Sequence, residues 1–202
     1  MMCCVLALNH LKEFMNLNLP NMLTLSRLAF IPIIMACFFL PYEWARPAAA
    51  WLYGLASLTD WFDGYLARKL DQQTKLGAFL DPVADKMLVA VALILIASEN
   101  AEYHWLVIIG TCVIISREIA ISALREWMAT LGKGATVSVS MTGKVKTAVQ
   151  MLTIGFLLHK QPFLGIDTRQ VGVVLLVIAI GLTIASLIIY LKAAWKDMRE
   201  HA

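Results

Sequence analysis

Six long apolar runs, separated by short polar stretches, constrain the fold of this chain more than any other feature of its sequence. The last run, residues 171–194, contains a single charged side chain, Lys192. A helix of about 20 such residues crosses the hydrocarbon core of a bilayer, and it satisfies its own backbone hydrogen bonds. We therefore predict an all-α integral membrane protein, a bundle of six transmembrane helices. The predicted spans are residues 22–40, 48–69, 78–97, 103–128, 145–159 and 171–194.

The composition excludes most other classes of protein. Sixty per cent of the 202 residues are hydrophobic, only 15% are charged, and the mean hydropathy is +0.73. A soluble domain of this size would not bury so much apolar surface. The net charge of +3 is too small to indicate a nucleic-acid partner, and it suits contact with an anionic membrane leaflet. The four cysteines show no disulfide framework and no zinc-site spacing.

Residues 1–19 are predicted to form an N-terminal segment, cytoplasmic or interfacial, ahead of one transmembrane domain over residues 20–202. The short apolar patch of this segment is interrupted by Lys12 and Glu13. That pattern favours a short interfacial helix over a cleavable signal peptide. Translation from Met15 is the alternative, and it would place residues 1–14 outside the native protein.

Basic residues are distributed unevenly between the two ends of the predicted bundle. One end, with both termini and the 69–77 and 125–146 stretches, carries eleven lysines and arginines. The other end carries Arg46, Lys160 and Arg169. Because positively charged segments stay in the cytoplasm, we predict that both termini face the cytoplasm.

Four aspartates lie where the second predicted span ends and the third begins. Asp60 and Asp63 are three residues apart, and Asp81 and Asp85 are four apart. Residues at these spacings share one face of a helix. We therefore expect the two pairs to converge if the segments pack as antiparallel neighbours. The same two faces also carry Gly64, Arg68 and Gly77.

Such a group of carboxylates needs strong compensation in an apolar setting. One aspartate at the centre of a membrane costs roughly 2.5–3.5 kcal/mol, and mutual repulsion adds to the cost of four. A hard divalent cation removes both costs, because Mg²⁺, Mn²⁺ and Ca²⁺ prefer oxygen ligands. The alternative, a set of solvated charges at helix ends, explains two of these residues but not four with the glycines. The pattern favours a metal site.

The residues Asp60-x2-Asp63-Gly64-x2-Ala67-Arg68-x8-Gly77-x3-Asp81-x3-Asp85 match the complete signature of the CDP-alcohol phosphotransferases, and the chain resembles that family. The resemblance implies two divalent cations, Mg²⁺ or Mn²⁺, that neutralise charge during phosphoryl transfer. It also implies that Asp85 is the catalytic general base for the attacking hydroxyl as well as a ligand. The implied metal ligands are Asp60, Asp63, Asp81 and Asp85.

The same resemblance implies a set of contacts to CDP-diacylglycerol. The segment Pro20 to Arg27 is similar to a family segment beside the activated diphosphate, although Pro20 and Asn21 also suit a helix start with Asn21 as its cap. The alternatives for the other residues are helix packing for the glycines and a membrane anchor for Arg68. The implied contacts are Asn21, Thr24, Arg27, Gly64, Arg68, Thr74 and Gly77.

A basic cluster suggests the second substrate. Four cations, two within the fourth span and two at the start of the fifth, could form a pocket for an acceptor alcohol that carries its own phosphate. Glu118 and Glu126 lie among them, so a structural ion-pair network is the alternative. The stretches 116–129 and 143–151 resemble the phosphatidylglycerophosphate synthase branch of the family. The candidate glycerol-phosphate contacts are Arg117, Arg125, Lys144 and Lys146.

The resemblance, together with the basic cluster, implies an enzyme that transfers a phosphatidyl group from CDP-diacylglycerol to sn-glycerol 3-phosphate, in a bacterial inner (plasma) membrane. The active site would face the cytoplasm. Other acceptors remain open: inositol phosphate, inositol, serine or phosphatidylglycerol. A divalent-cation transporter is the alternative from another class. The resemblance also allows a homodimer, although no residue indicates an interface, and membrane lipid is the expected surrounding.

Overall fold

The structure is a computed structural model that describes residues 19–70, 75–99, 102–130, 141–163 and 165–199. For the helical residues 19–24, 60–70, 75–79, 81, 141–144, 193–194 and 196–199 it describes the backbone. Within these ranges there are six helices and no strand, apart from an isolated bridge between Phe163 and Ile166. The helices are α1 (Leu19–Phe39), α2 (Ala45–Leu70), α3 (Lys75–Ala97), α4 (His104–Thr130), α5 (Met141–His159) and α6 (Thr168–Arg199).

The predicted all-α class and the order of six helices are confirmed, with boundaries that differ by a few residues. The interpretation of Asn21 as a helix cap is wrong, because α1 already begins at Leu19. Pro20 then occupies the first turn, where its missing N–H costs nothing. Helix α3 begins at Lys75 and contains Pro82. The predicted interfacial helix of residues 1–19 falls almost entirely outside the described residues.

The helices pack around one main apolar core. Helix α1 contacts α2 and α3, α5 contacts α2 and α6, and α4 contacts α3 and α6. A smaller cluster between α4 and α6 contains Ile121, Met128 and Tyr190. The largest fully buried apolar side chains of the main core are Ile34, Tyr53, Leu93, Ile114, Ile154, Leu158 and Leu176.

Two glycines allow close approach to α6. A Cβ at Gly110 in α4 would lie 2.9 Å from Leu176 Cδ1, and a Cβ at Gly172 in α6 would lie 2.7 Å from Leu157 Cδ2. Real Cβ atoms do not approach so closely, so glycine at these positions sets the spacing of α6 against α4 and α5.

The outer surface of the bundle is apolar. Large hydrophobic side chains are exposed along every helix, with Trp105 at 77% exposure as the extreme. Two helices within the described ranges, His104–Thr130 and Thr168–Lys192, are long and apolar enough to cross a membrane. This indicates a membrane protein; the six transmembrane spans stay a prediction.

Three interhelical connections meet at one end of the bundle, around Glu99. Its carboxylate accepts from Arg46 Nη2 at 2.8 Å and also pairs with Lys160. Arg46 lies in the first turn of α2, Glu99 follows α3 and Lys160 follows α5, so these contacts join three helix ends. Gln161 Nε2 adds a bond of 2.6 Å to the carbonyl of Glu43, between α1 and α2. We call Arg46, Glu99 and Lys160 the Glu99 clasp.

Candidate active site

The four aspartates lie on two helices that contact each other. Asp60 and Asp63 belong to the second half of α2, and Asp81 and Asp85 belong to the first half of α3. The continuous helices give each pair the expected spacing along one helix face. Of these four side chains the structure describes that of Asp85, and the predicted convergence of the other three lies outside the described side chains.

Asp85 lies where α2, α3, α4 and α5 meet. Its half-buried carboxylate is within electrostatic range of Tyr53 in α2 and of Lys146 in α5. It also faces a cavity whose walls come from α3, α4 and α5. A carboxylate at such a junction is accessible to a small molecule while surrounded by protein. The cavity is lined by Asp85, Lys86, Val89, Glu118, Thr147, Gln150 and Met151.

The candidate contacts to CDP-diacylglycerol are spread over three helices. Asn21, Thr24 and Arg27 lie on α1, and Arg27 retains 1% of its exposed surface. Gly64 and Arg68 lie on α2 and Gly77 near the start of α3, where the backbone is described. Thr74 lies outside the described residues. A fully buried arginine in an apolar helix is expensive, so Arg27 stands out from the apolar residues around it.

Arg117 and Lys146 of the basic cluster converge on Glu118. Arg117 Nη1 lies 3.2 Å from Glu118 Oε1, and Lys146 Nζ pairs with the same oxygen. Both cations are buried. Arg117 Nη2 also donates to Ser186 Oγ of α6 at 3.1 Å. The structural ion-pair network, which the sequence offered as the alternative to a substrate pocket, is therefore present for Arg117 and Lys146. It lies next to the cavity that Glu118 lines.

Arg125 takes a different position, two turns further along α4. Its Nη2 lies 3.4 Å from the hydroxyl of Tyr190 in α6, and its side chain is exposed. The guanidinium groups of Arg117 and Arg125 lie 5.6 Å and 5.5 Å from the centre of the Tyr190 ring. The ring therefore contacts both arginines through cation–π attraction. For Lys144, near the start of α5, the backbone is described.

Sequence reasoning missed several polar residues at the cavity. Lys86 donates to Ser122 Oγ of α4, and Thr147 and Gln150 form part of the α5 wall. The available signal was the one applied to Arg27, a charged residue inside an apolar run. Lys86 satisfies that criterion, but the interpretation of this stretch rested on the neighbouring Asp85.

The chemistry of the aspartates fits hard divalent cations. Each carboxylate offers two oxygens, and oxygen donors are what Mg²⁺ and Mn²⁺ take in proteins. Among the described side chains, no group of three acidic, histidine or cysteine residues gathers that could hold an ion. The side chains of Asp60, Asp63 and Asp81 lie outside this described set.

Comparison with known proteins identifies the family. The sequence profile of the CDP-alcohol phosphatidyltransferases matches residues 17–185. Proteins from Salmonella choleraesuis, Shigella flexneri serotype 5b and Escherichia coli K12 are 46%, 48% and 47% identical to this chain over 187 residues. The alignments cover 92% of this chain and 100% of each relative, and each relative is named CDP-diacylglycerol–glycerol-3-phosphate 3-phosphatidyltransferase. The chain therefore belongs to the CDP-alcohol phosphatidyltransferase family of enzymes.

Proposed function

We propose that this enzyme transfers the phosphatidyl group of CDP-diacylglycerol to sn-glycerol 3-phosphate. The products are phosphatidylglycerophosphate and CMP. The observation that carries the proposal is the full-length similarity, at 46–48% identity, to relatives named for this reaction.

The reaction requires a hydroxyl of the acceptor to attack the β-phosphorus of CDP-diacylglycerol. A bond forms between that hydroxyl oxygen and phosphorus, the bond from phosphorus to the CMP oxygen breaks, and the hydroxyl proton passes to a base. Asp85 is our proposed base, because its half-buried carboxylate faces a cavity that is accessible to a small acceptor. Two Mg²⁺ or Mn²⁺ ions, held by Asp60, Asp63, Asp81 and Asp85, would neutralise phosphate charge when bound.

CDP-diacylglycerol is proposed to bind on the side of α1 and α2. The buried charge of Arg27 supports this placement, since a diphosphate is the kind of anion that such an arginine can bind in a fork geometry. Gly64 and Gly77 would let the nucleotide lie against the backbone. The proposed contacts are Asn21, Thr24, Arg27, Gly64, Arg68, Thr74 and Gly77.

The acceptor is proposed to bind on the side of α4 and α5. Cations predominate there, as expected for an alcohol that carries a phosphate, and Glu118 balances part of their charge. Inositol phosphate would satisfy the same requirement, whereas inositol or serine would not. The proposed contacts are Arg117, Arg125, Lys144 and Lys146.

We further propose that the enzyme is a multi-pass protein of the bacterial inner membrane with both termini in the cytoplasm. The uneven distribution of basic residues supports this orientation. This orientation would place Asp85 toward the cytoplasm, which supplies the water-soluble acceptor alcohol and the divalent cations.

The proposal is tested with purified enzyme in detergent, CDP-diacylglycerol and Mg²⁺ or Mn²⁺. CMP release is measured with sn-glycerol 3-phosphate, inositol phosphate, inositol and serine offered one at a time, each with and without a chelator. We expect release with sn-glycerol 3-phosphate alone and its loss with the chelator. Release with a different alcohol would contradict the acceptor, and no release with any of them would contradict the reaction.

A further inference from the structure

The cavity beside Asp85 contains one cation among the described residues that line it, and that cation is Lys86. The open space is about 370 Å³, counting the part that is open to solvent. Lys86 and the α4 and α5 walls therefore border a space that a small polar molecule can reach from solvent.

The charge of Lys86 is not balanced in the way that its neighbours' charges are. Its Nζ donates to the neutral hydroxyl of Ser122. Among the described residues it forms no ion pair, although the Glu118 carboxylate of the α4 wall is within electrostatic range. Lys146, by contrast, pairs with Glu118. A half-buried ammonium next to open space attracts an anion more strongly than one that already has a carboxylate partner.

We propose that Lys86 binds the phosphate of the acceptor alcohol and that Ser122 positions it. This inference deepens the proposed function and rests on it, since it assigns a residue to the acceptor's own phosphate. The residues across the cavity from Lys86 distinguish this role from nucleotide binding. Glu118, Thr147 and Gln150 come from α4 and α5, whereas the proposed CDP-diacylglycerol contacts within the described residues lie on α1, α2 and the start of α3. Asp85, the adjacent residue, would then face the hydroxyl end of the same small molecule.

Ser122 fixes the position of the Lys86 ammonium group. A lysine side chain has four rotatable bonds, and ordering it on binding costs free energy. The bond to Ser122 Oγ holds the ammonium toward α4 before the acceptor arrives. Loss of this hydroxyl should therefore weaken acceptor binding in the same direction as loss of the charge, but to a smaller extent.

The test compares Lys86→Met with the matched variant Lys192→Met, which removes an exposed lysine on α6. Steady-state CMP release gives kcat and the KM of each substrate separately, and melting in detergent establishes that each variant is folded. For Lys86→Met we expect the KM for sn-glycerol 3-phosphate to rise roughly 10- to 100-fold, the usual effect of losing a charged hydrogen bond. The KM for CDP-diacylglycerol should stay the same. Lys86→Arg and Ser122→Ala should each show a smaller rise, and Lys192→Met none.

Any other result contradicts either the role of Lys86 or the proposed function. An unchanged KM for sn-glycerol 3-phosphate in Lys86→Met overturns the inference while the proposed function stands. An equal rise in the KM of both substrates, or a fall in kcat alone, overturns it too, because either would assign Lys86 to the nucleotide or to Asp85. If the wild-type enzyme releases no CMP when sn-glycerol 3-phosphate is the acceptor, both the proposed function and this inference are overturned. If Lys86→Met does not fold, Lys86→Gln and Ser122→Ala decide by the same criteria.

Discussion

At the scale of single residues, Asp85 connects the geometry to the chemistry most directly. Asp85→Asn keeps the size of the side chain and removes its ability to accept the proton. We expect kcat to fall roughly 10²- to 10⁴-fold, the usual contribution of a general base, with a melting temperature in detergent close to that of the wild type. A variant with wild-type CMP release would contradict the assignment of Asp85 as base.

Glu118 offers a second test at this scale, one of stability. Glu118→Gln leaves two buried cations, Arg117 and Lys146, without their shared carboxylate. Breaking a buried pair in this way costs about 3 kcal/mol or more, and we expect the lower end because the Glu118 side chain keeps 26% exposure. Thermal unfolding in detergent measures the loss. The double variant Glu118→Gln with Lys146→Met should recover part of it, and no recovery would contradict the pairing as its cause.

At the scale of helices, the spacing of α5 and α6 depends on the absence of a side chain at Gly172. Gly172→Ala places a Cβ 2.7 Å from Leu157 Cδ2 and 3.2 Å from the Leu157 backbone nitrogen. Crowding of this kind costs about 1–3 kcal/mol, so we expect a lower melting temperature in detergent. Gly181→Ala is the matched control in the same helix, since its Cβ would meet no atom within 4 Å. Equal effects of the two substitutions would refute the packing argument.

The ends of the helices give a prediction about pH. Partial burial raises the pKa of Glu99, but the Lys160 hydrogen bond and the charges of Arg46 and Lys160 outweigh it, so the net pKa is lowered. A carboxylate with a lowered pKa stabilises the folded state above its unfolded pKa of about 4.3, and this contribution is lost as pH falls through the folded pKa.

Glu99→Gln should therefore reduce the melting temperature at pH 7, and the difference from wild type should shrink as the pH falls below about 4. Glu102→Gln is the control, because the Glu102 side chain is exposed and makes no ion pair among the described residues. A difference between wild type and Glu99→Gln that is constant with pH would contradict an ionic role for the clasp.

At the scale of the whole molecule, apolar periodicity and length predicted the class and order of the helices, because a membrane helix must satisfy its backbone internally. The spacing of the aspartates similarly predicted which residues share a helix face. The balance of charge between helices was not predictable, since it depends on which side chains meet across the bundle. Lys86 and Lys146 look alike in sequence, yet Ser122 meets one and Glu118 the other. The Glu99 clasp joins residues more than fifty positions apart for the same reason.

The clasp also fixes three helix ends relative to one another. It ties the start of α2 to the ends of α3 and α5, and Glu99 lies fourteen residues beyond Asp85 along the chain, or about 21 Å at the helical rise. A rod that is fixed at one end moves most at the other, so a tilt of about 5° at the clasp displaces α3 by about 2 Å beside Asp85. We therefore expect any tilting of α3 to displace the helix more beside Asp85 than at the clasp.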